Sequence, residues 1–109
     1  MAYINLHLED KILELSKSYS AILLTVPRHA QKTTMLRPLA EKEDMGREYV
    51  SLDELSLRDM AKNDPALFLQ IHKPPVLIDG VKYALELFTY IKIQINKHQN
   101  PGDFWMTGS

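Results

Sequence analysis

Lys32, Thr33 and Thr34 have the residue types and spacing with the clearest chemical potential in this sequence. Five residues separate them from the end of the apolar run 21–26, and a helical pattern follows them. A lysine at such a point can neutralise phosphate charge, a hydroxyl can bind Mg²⁺, and the amides of a helix start attract anions. The order strand, loop, Lys-Thr, helix corresponds to the phosphate-binding pattern G-x-x-x-x-G-K-[ST].

The two glycines of that pattern are missing. Val26 and Gln31 occupy their positions, and a Cβ there obstructs both the backbone angles and the close approach of a phosphate. Arg28, in the same loop, either contacts a phosphate or is a solvated loop residue. Lys32 also has an interpretation without phosphate binding, as an exposed lysine at the start of a helix. The loop alone is therefore weak evidence for a phosphate site.

A second candidate lies at the end of the apolar run 76–79, where Asp79 is followed by Gly80. An aspartate that ends a buried strand can hold Mg²⁺ through its water shell, and a glutamate after it orients the attacking water. Here Gly80 stands in place of that glutamate. Asp79 alone could be a turn residue. Two half-motifs, each ending a buried strand, instead favour a ligand site at the carboxyl edge of a parallel sheet.

The elements that must position these residues alternate along the chain. Apolar or alternating runs predict four strands, at 21–26, 47–53, 74–80 and from 104 onward. Helical spacing predicts helices at about 8–18, 33–43 (interrupted by Pro38), 56–63 with Ser56 as N-cap, from Asp64-Pro65 onward, and 83–97. This alternation is typical of an α/β fold with a mostly parallel sheet.

Composition narrows the class of protein. The 109 residues suit a single domain, 1–109, and the formal net charge of −1 provides no general attraction for nucleic acid or for an anionic membrane. There is no cysteine, which excludes disulfides and thiolate chemistry. No apolar stretch approaches the roughly 20 residues that span a bilayer. A cytoplasmic protein is expected.

The segments "ILLTVPR", "KTTMLR", "KPPVLID" and "GDFWMTGS" together resemble the N-terminal portion of the prokaryotic AAA-type P-loop ATP-binding proteins. The resemblance covers essentially the whole chain. It implies a three-layer, P-loop NTPase-like, mostly parallel sheet, truncated after its fourth strand, with ATP and Mg²⁺ as cofactors. By residue, it implies nucleotide binding by Arg28, Lys32, Thr33 and Thr34, weak Mg²⁺ binding by Thr33 and Asp79, and a sensor-like role for Thr107 or Ser109.

The departures from the family pattern concentrate at these same positions, in degenerate Walker A and Walker B motifs. We therefore expect weakened ATP binding and lost hydrolysis, so that the enzyme activity of the family is absent here. The alternatives are a non-enzymatic protein-interaction module on a P-loop scaffold and a decayed fragment without selected function.

The resemblance also implies partners. It gives the strand order 5-1-4-3-2, numbered along the chain from the strand 21–26. Without the fifth strand, 21–26 lies at an edge of the sheet, and a long apolar edge can pair with another chain. Self-association through the 21–26 edge is the resulting expectation. The missing C-terminal region or another protein chain is the other expected partner.

Overall fold

The computed structural model describes residues 2–5, 9–25 and 46–108. The strands in these ranges are β1 (Ala2–Asn5), β2 (Ala21–Thr25), β3 (Glu48–Ser51), β4 (Val76–Asp79) and β5 (Phe104–Thr107). The helices are α1 (Glu9–Ser16), α2 (Leu55–Asn63), α3 (Pro65–Ile71) and α4 (Glu86–His98), and a 3₁₀ turn spans Val81–Ala84. The predicted helix 33–43 and its Pro38 lie outside the described residues.

The described strands form one sheet in the order β1-β2-β5-β4-β3, and every neighbouring pair is parallel. Parallel neighbours require a crossover between them, and helices supply such crossovers. The predicted α/β class is therefore confirmed. The predicted order of the last four strands, with the final strand between the first and third of the four, is confirmed as well.

The predicted edge position of β2 is wrong. All four residues of β1 pair with β2, from Ala2 beside Ile22 to Asn5 beside Thr25. The described sheet thus has five strands instead of four. β1 satisfies the backbone groups on the open side of β2, so the edge on that side belongs to β1. Self-association itself stays a prediction.

Side chains alternate between the two faces of the sheet, and each face has its own helices. On one face, Val50, Ile78 and Met106 belong to a core that includes residues of α2, α3 and α4. On the other face, a smaller core packs against α1 and consists of Ile12, Ile22, Leu24, Leu77 and Trp105. The strands of the centre are covered on both sides, which explains their unbroken apolar sequence.

Of the two predicted N-terminal caps, the structure confirms one and contradicts the other. α3 begins as expected, because the Asp64 side chain accepts a hydrogen bond from the Leu67 amide (3.2 Å) and Pro65 opens the helix. The predicted role of Ser56 as N-cap of the preceding helix, 56–63, is wrong. α2 begins one residue earlier with Glu54 at the N-cap position, and the Ser56 hydroxyl instead donates to the Glu54 carboxylate.

Within residues 2–5, 9–25 and 46–108, no helix combines the length and apolar character needed to cross a bilayer.

Candidate functional site

Three polar side chains meet at the carboxyl ends of β3, β4 and β5. Tyr49, Asp79 and Thr107 share the face of the sheet that also carries Leu77 and Trp105, because alternate residues of a strand point the same way. Each of the two central strands β4 and β5 is apolar until its last residue, Asp79 or Thr107. In these two strands, the polar residue thus lies at the end where parallel sheets bind ligands.

The Asp79 carboxylate is buried, with only 3% of the residue exposed, and both of its oxygens accept hydrogen bonds. The Thr107 hydroxyl donates to Oδ1 (2.5 Å) and the Tyr49 hydroxyl donates to Oδ2 (2.7 Å). A buried carboxylate without such donors would strongly destabilise the fold. The two hydroxyls therefore hold Asp79 in place from the strands on either side of β4.

Thr107 links this cluster to the chain after β4. Its hydroxyl oxygen also accepts a hydrogen bond from the Gly80 amide (2.9 Å), so it contacts both the last residue of β4 and the first residue after it. On its other side, Thr107 lies in register with Leu24 of β2. β2 ends at Thr25, so the chain enters the predicted phosphate loop beside Thr107.

Gly80 has a left-handed backbone conformation, with φ of 81° and ψ of 36°. A Cβ at this position would lie 3.2 Å from Cδ2 of Tyr83, which is tighter than an ordinary contact. Residues other than glycine seldom adopt this conformation. The turn after Asp79 therefore favours glycine at the position where the family resemblance predicts glutamate.

Arg58 packs against the same turn. Its guanidinium group stacks on the Tyr83 ring at 3.8 Å from the ring centroid, and its Nε donates to the carbonyl of Leu52 (2.9 Å). These contacts join α2, the end of β3 and the 3₁₀ turn. They also hold the Tyr83 ring beside Gly80.

Most of the predicted site residues lie outside the described residues: Arg28, Lys32, Thr33, Thr34 and Ser109, together with Val26 and Gln31. Among the described ones, the structure brings Asp79 and Thr107 into direct contact. Their roles in Mg²⁺ binding and as a sensor stay predictions, as does the loop.

Sequence reasoning missed Tyr49 and Arg58. The alternation in 47–53 does place Tyr49 on the same face as Ser51, whose register partner is Asp79. However, the contact joins residues that are 30 positions apart in the chain, so the spacing carries no sign of it. Arg58 reads as one of several charged residues on a short helix.

A comparison with protein-family models matches the AAA domain over residues 18–109. The chain belongs to the AAA domain family. This confirms the AAA-type resemblance, and it identifies the chain as an ATPase-like nucleotide-binding domain. No curated protein and no solved structure gives a significant match.

The AAA domain family uses a nucleotide with Mg²⁺, and the residues present suit that ion. Among the described residues, no group of three histidine, aspartate or glutamate side chains could form a metal site by itself. Mg²⁺ does not need one, because it keeps several waters and binds one or two carboxylates plus substrate phosphates. Asp79, with the Thr107 hydroxyl beside it, matches that requirement.

The opposite edge of this AAA domain has a groove of about 630 Å³ between α3 and α4. It lies near Pro74 and Asp103, which precede β4 and β5, and is therefore separated from Asp79 by the length of the strands. Lys73, Tyr90 and Lys97 are among its lining residues. It belongs to a different region from the polar cluster of Tyr49, Asp79 and Thr107.

Proposed function

We propose that this AAA domain binds Mg-ATP weakly at the carboxyl ends of β2, β5 and β4 and does not hydrolyse it. The observation that carries the proposal is the buried hydrogen bond between Asp79 and Thr107, on neighbouring central strands. Buried polar side chains at strand ends fix the orientation of one another. Such preorganisation is what an ion with strict geometry requires.

Each residue has a defined part in this proposal. Lys32 would neutralise phosphate charge and Thr33 would offer its hydroxyl to Mg²⁺, while Asp79 would hold the water shell of the ion. Thr107 would sense the nucleotide through its contact with Asp79. Bound Mg²⁺ would neutralise charge on the phosphates. Since Val26 and Gln31 replace the loop glycines, close phosphate contact would be impaired.

The loss of hydrolysis is inferred from Gly80. A side chain that orients the attacking water contributes roughly 10²–10⁴-fold to the rate, and glycine has none to offer. The left-handed backbone at Gly80 adds a second obstacle, since a glutamate there would strain the turn.

Thermal unfolding with increasing Mg-ATP tests the binding. A ligand at 100 times its dissociation constant adds about 2.7 kcal/mol to the free energy of unfolding. In a domain of this size, that corresponds to a rise in Tm of roughly 10–20 °C. Lys32→Met should abolish the rise, whereas Lys62→Met, at an exposed position of α2, should retain it.

Phosphate release by the unmodified chain should equal that of Lys32→Met. An absent Tm shift at millimolar Mg-ATP contradicts the binding proposal. Turnover above the Lys32→Met background contradicts the loss of hydrolysis and leaves the binding proposal standing.

A further inference from the structure

We propose that Tyr49 is a positioning residue for Asp79, and that its hydroxyl sets the orientation in which the carboxylate meets the Mg²⁺ of bound Mg-ATP. The inference rests on the proposed function. It adds a residue from the terminal strand β3, which the phosphate-binding pattern does not include.

The geometry gives Asp79 two fixed points. The hydroxyl of Thr107 on β5 holds Oδ1, and the hydroxyl of Tyr49 on β3 holds Oδ2 at 2.7 Å. The terminal torsion of an aspartate is broad when nothing restrains it. Donors from the strands on both sides restrict that rotation, and each of them acts on a different oxygen.

The Tyr49 ring is itself well placed to stay still. It is half-buried and packs against the core that contains Leu77 and Trp105. Tyr49 lies in register with Leu77. Leu77 is two residues before Asp79 in β4, so these two side chains point to the same face of the sheet. The Tyr49 side chain therefore packs against the core with its ring and extends along the sheet toward the carboxyl edge. There its hydroxyl contacts the Asp79 carboxylate.

Accepting these two hydrogen bonds is compatible with metal binding by Asp79. An ionised carboxylate has about four acceptor positions on its two oxygens, and the two hydroxyls take one position on each oxygen. Partners that hydrogen-bond to a metal-binding side chain orient it, and their removal typically lowers metal affinity 10–100-fold. Tyr49 has the chemistry and position of such a partner.

The test compares ATP affinity with Mg²⁺ and with EDTA, by calorimetry, in the unmodified chain and in Tyr49→Phe. The variant keeps the ring and removes only the hydroxyl, so packing against Leu77 should persist. We expect affinity with Mg²⁺ to fall 10-fold or more and affinity in EDTA to stay unchanged. Tyr90→Phe, on the exposed side of α4, is the matched control and should change neither value.

An Asp79→Asn background provides a second measurement. If Tyr49 acts through Asp79, adding Tyr49→Phe to Asp79→Asn should not further weaken Mg²⁺-dependent binding. Equal weakening with Mg²⁺ and with EDTA, or an unchanged Mg²⁺ effect, overturns the positioning role while the proposed function stands. Absence of any Mg-ATP binding by the unmodified chain overturns the proposed function, and this role with it.

Discussion

The two ends of the sheet use polar groups differently, and strand β5 contributes to both. Toward the amino end, the indole of Trp105 donates to the Ser16 hydroxyl (2.9 Å), and the Arg47 guanidinium lies over the indole at 4.1 Å. At the carboxyl end, Thr107 of the same strand hydrogen-bonds to Asp79. The polar partners at the first end serve a large buried ring, whereas those at the second orient one another.

This difference predicts that the amino end of the sheet serves stability and the carboxyl end serves ligand binding. Substitutions near Trp105 should change stability and leave ligand binding intact in any molecules that remain folded. Substitutions near Asp79 should change ligand binding by more than their effect on stability explains. The core supports this division, since the indole of Trp105 is fully buried among Ile12, Ile22 and Leu77.

The largest expected effect on stability is that of Trp105→Ala. Removing a fully buried tryptophan side chain typically lowers the free energy of unfolding by 3–5 kcal/mol, about half of what a small domain possesses. Thr107→Val, two residues away on the same face, loses two hydrogen bonds but keeps its volume, and should lose about 1–3 kcal/mol. Urea unfolding measures both. A larger loss for Thr107→Val would reverse the division between the two ends.

Gly80→Ala should have an intermediate effect. A non-glycine residue in the left-handed region costs about 1–3 kcal/mol, and the added methyl group would press on the Tyr83 ring. Gly108→Ala is the control, since a Cβ there would meet none of the described residues within 4 Å. Gly80→Glu should show at least the loss of Gly80→Ala. If it is as stable as the unmodified chain, the turn adapts, and the second obstacle to hydrolysis is absent.

The smallest effect concerns pH at the amino end. Burial raises the pKa of Asp103 above its ordinary value, and the positive charge of Arg47 partly opposes this rise. With a raised folded-state pKa, the stability contributed by protonated Asp103 is complete below the ordinary carboxyl pKa and is lost as pH rises through the folded-state value. Arg47→Met should raise the Asp103 pKa further, as measured by NMR titration. Arg58→Met, at the other end of the sheet, should leave it unchanged.

The sequence predicted the features of this AAA domain that depend on local pattern. The continuous apolar runs of β2 and β4 and the Asp64-Pro65 helix start were found because burial and capping leave direct traces in residue type. The helix predicted over 83–97 was partly right. The structure has a 3₁₀ turn and then α4, because the left-handed Gly80 starts a tight turn in which the Tyr83 amide donates to the Gly80 carbonyl (3.0 Å).

Features that depend on partners distant in the chain were not predictable in this way. β1 is four residues long, and only its pairing with β2 identifies it as a strand. Asp79 was recognised as a candidate from its position at a strand end, and Thr107 only through the family resemblance. Their contact with each other and with Tyr49 required the strand order and register, which no single segment contains.

The central place of β5 has a consequence for synthesis. Among the described strands β5 is made last, yet it alone joins the pair β1-β2 to the pair β4-β3. A nascent chain that lacks residues 104–107 therefore holds two separate strand pairs with unfilled pairing positions between them. Because domains fold as units while the ribosome adds residues one at a time, closure of this sheet must wait for its final strand to emerge. Until then, the unpaired edges of β2 and β4 can pair with other chains or bind chaperones.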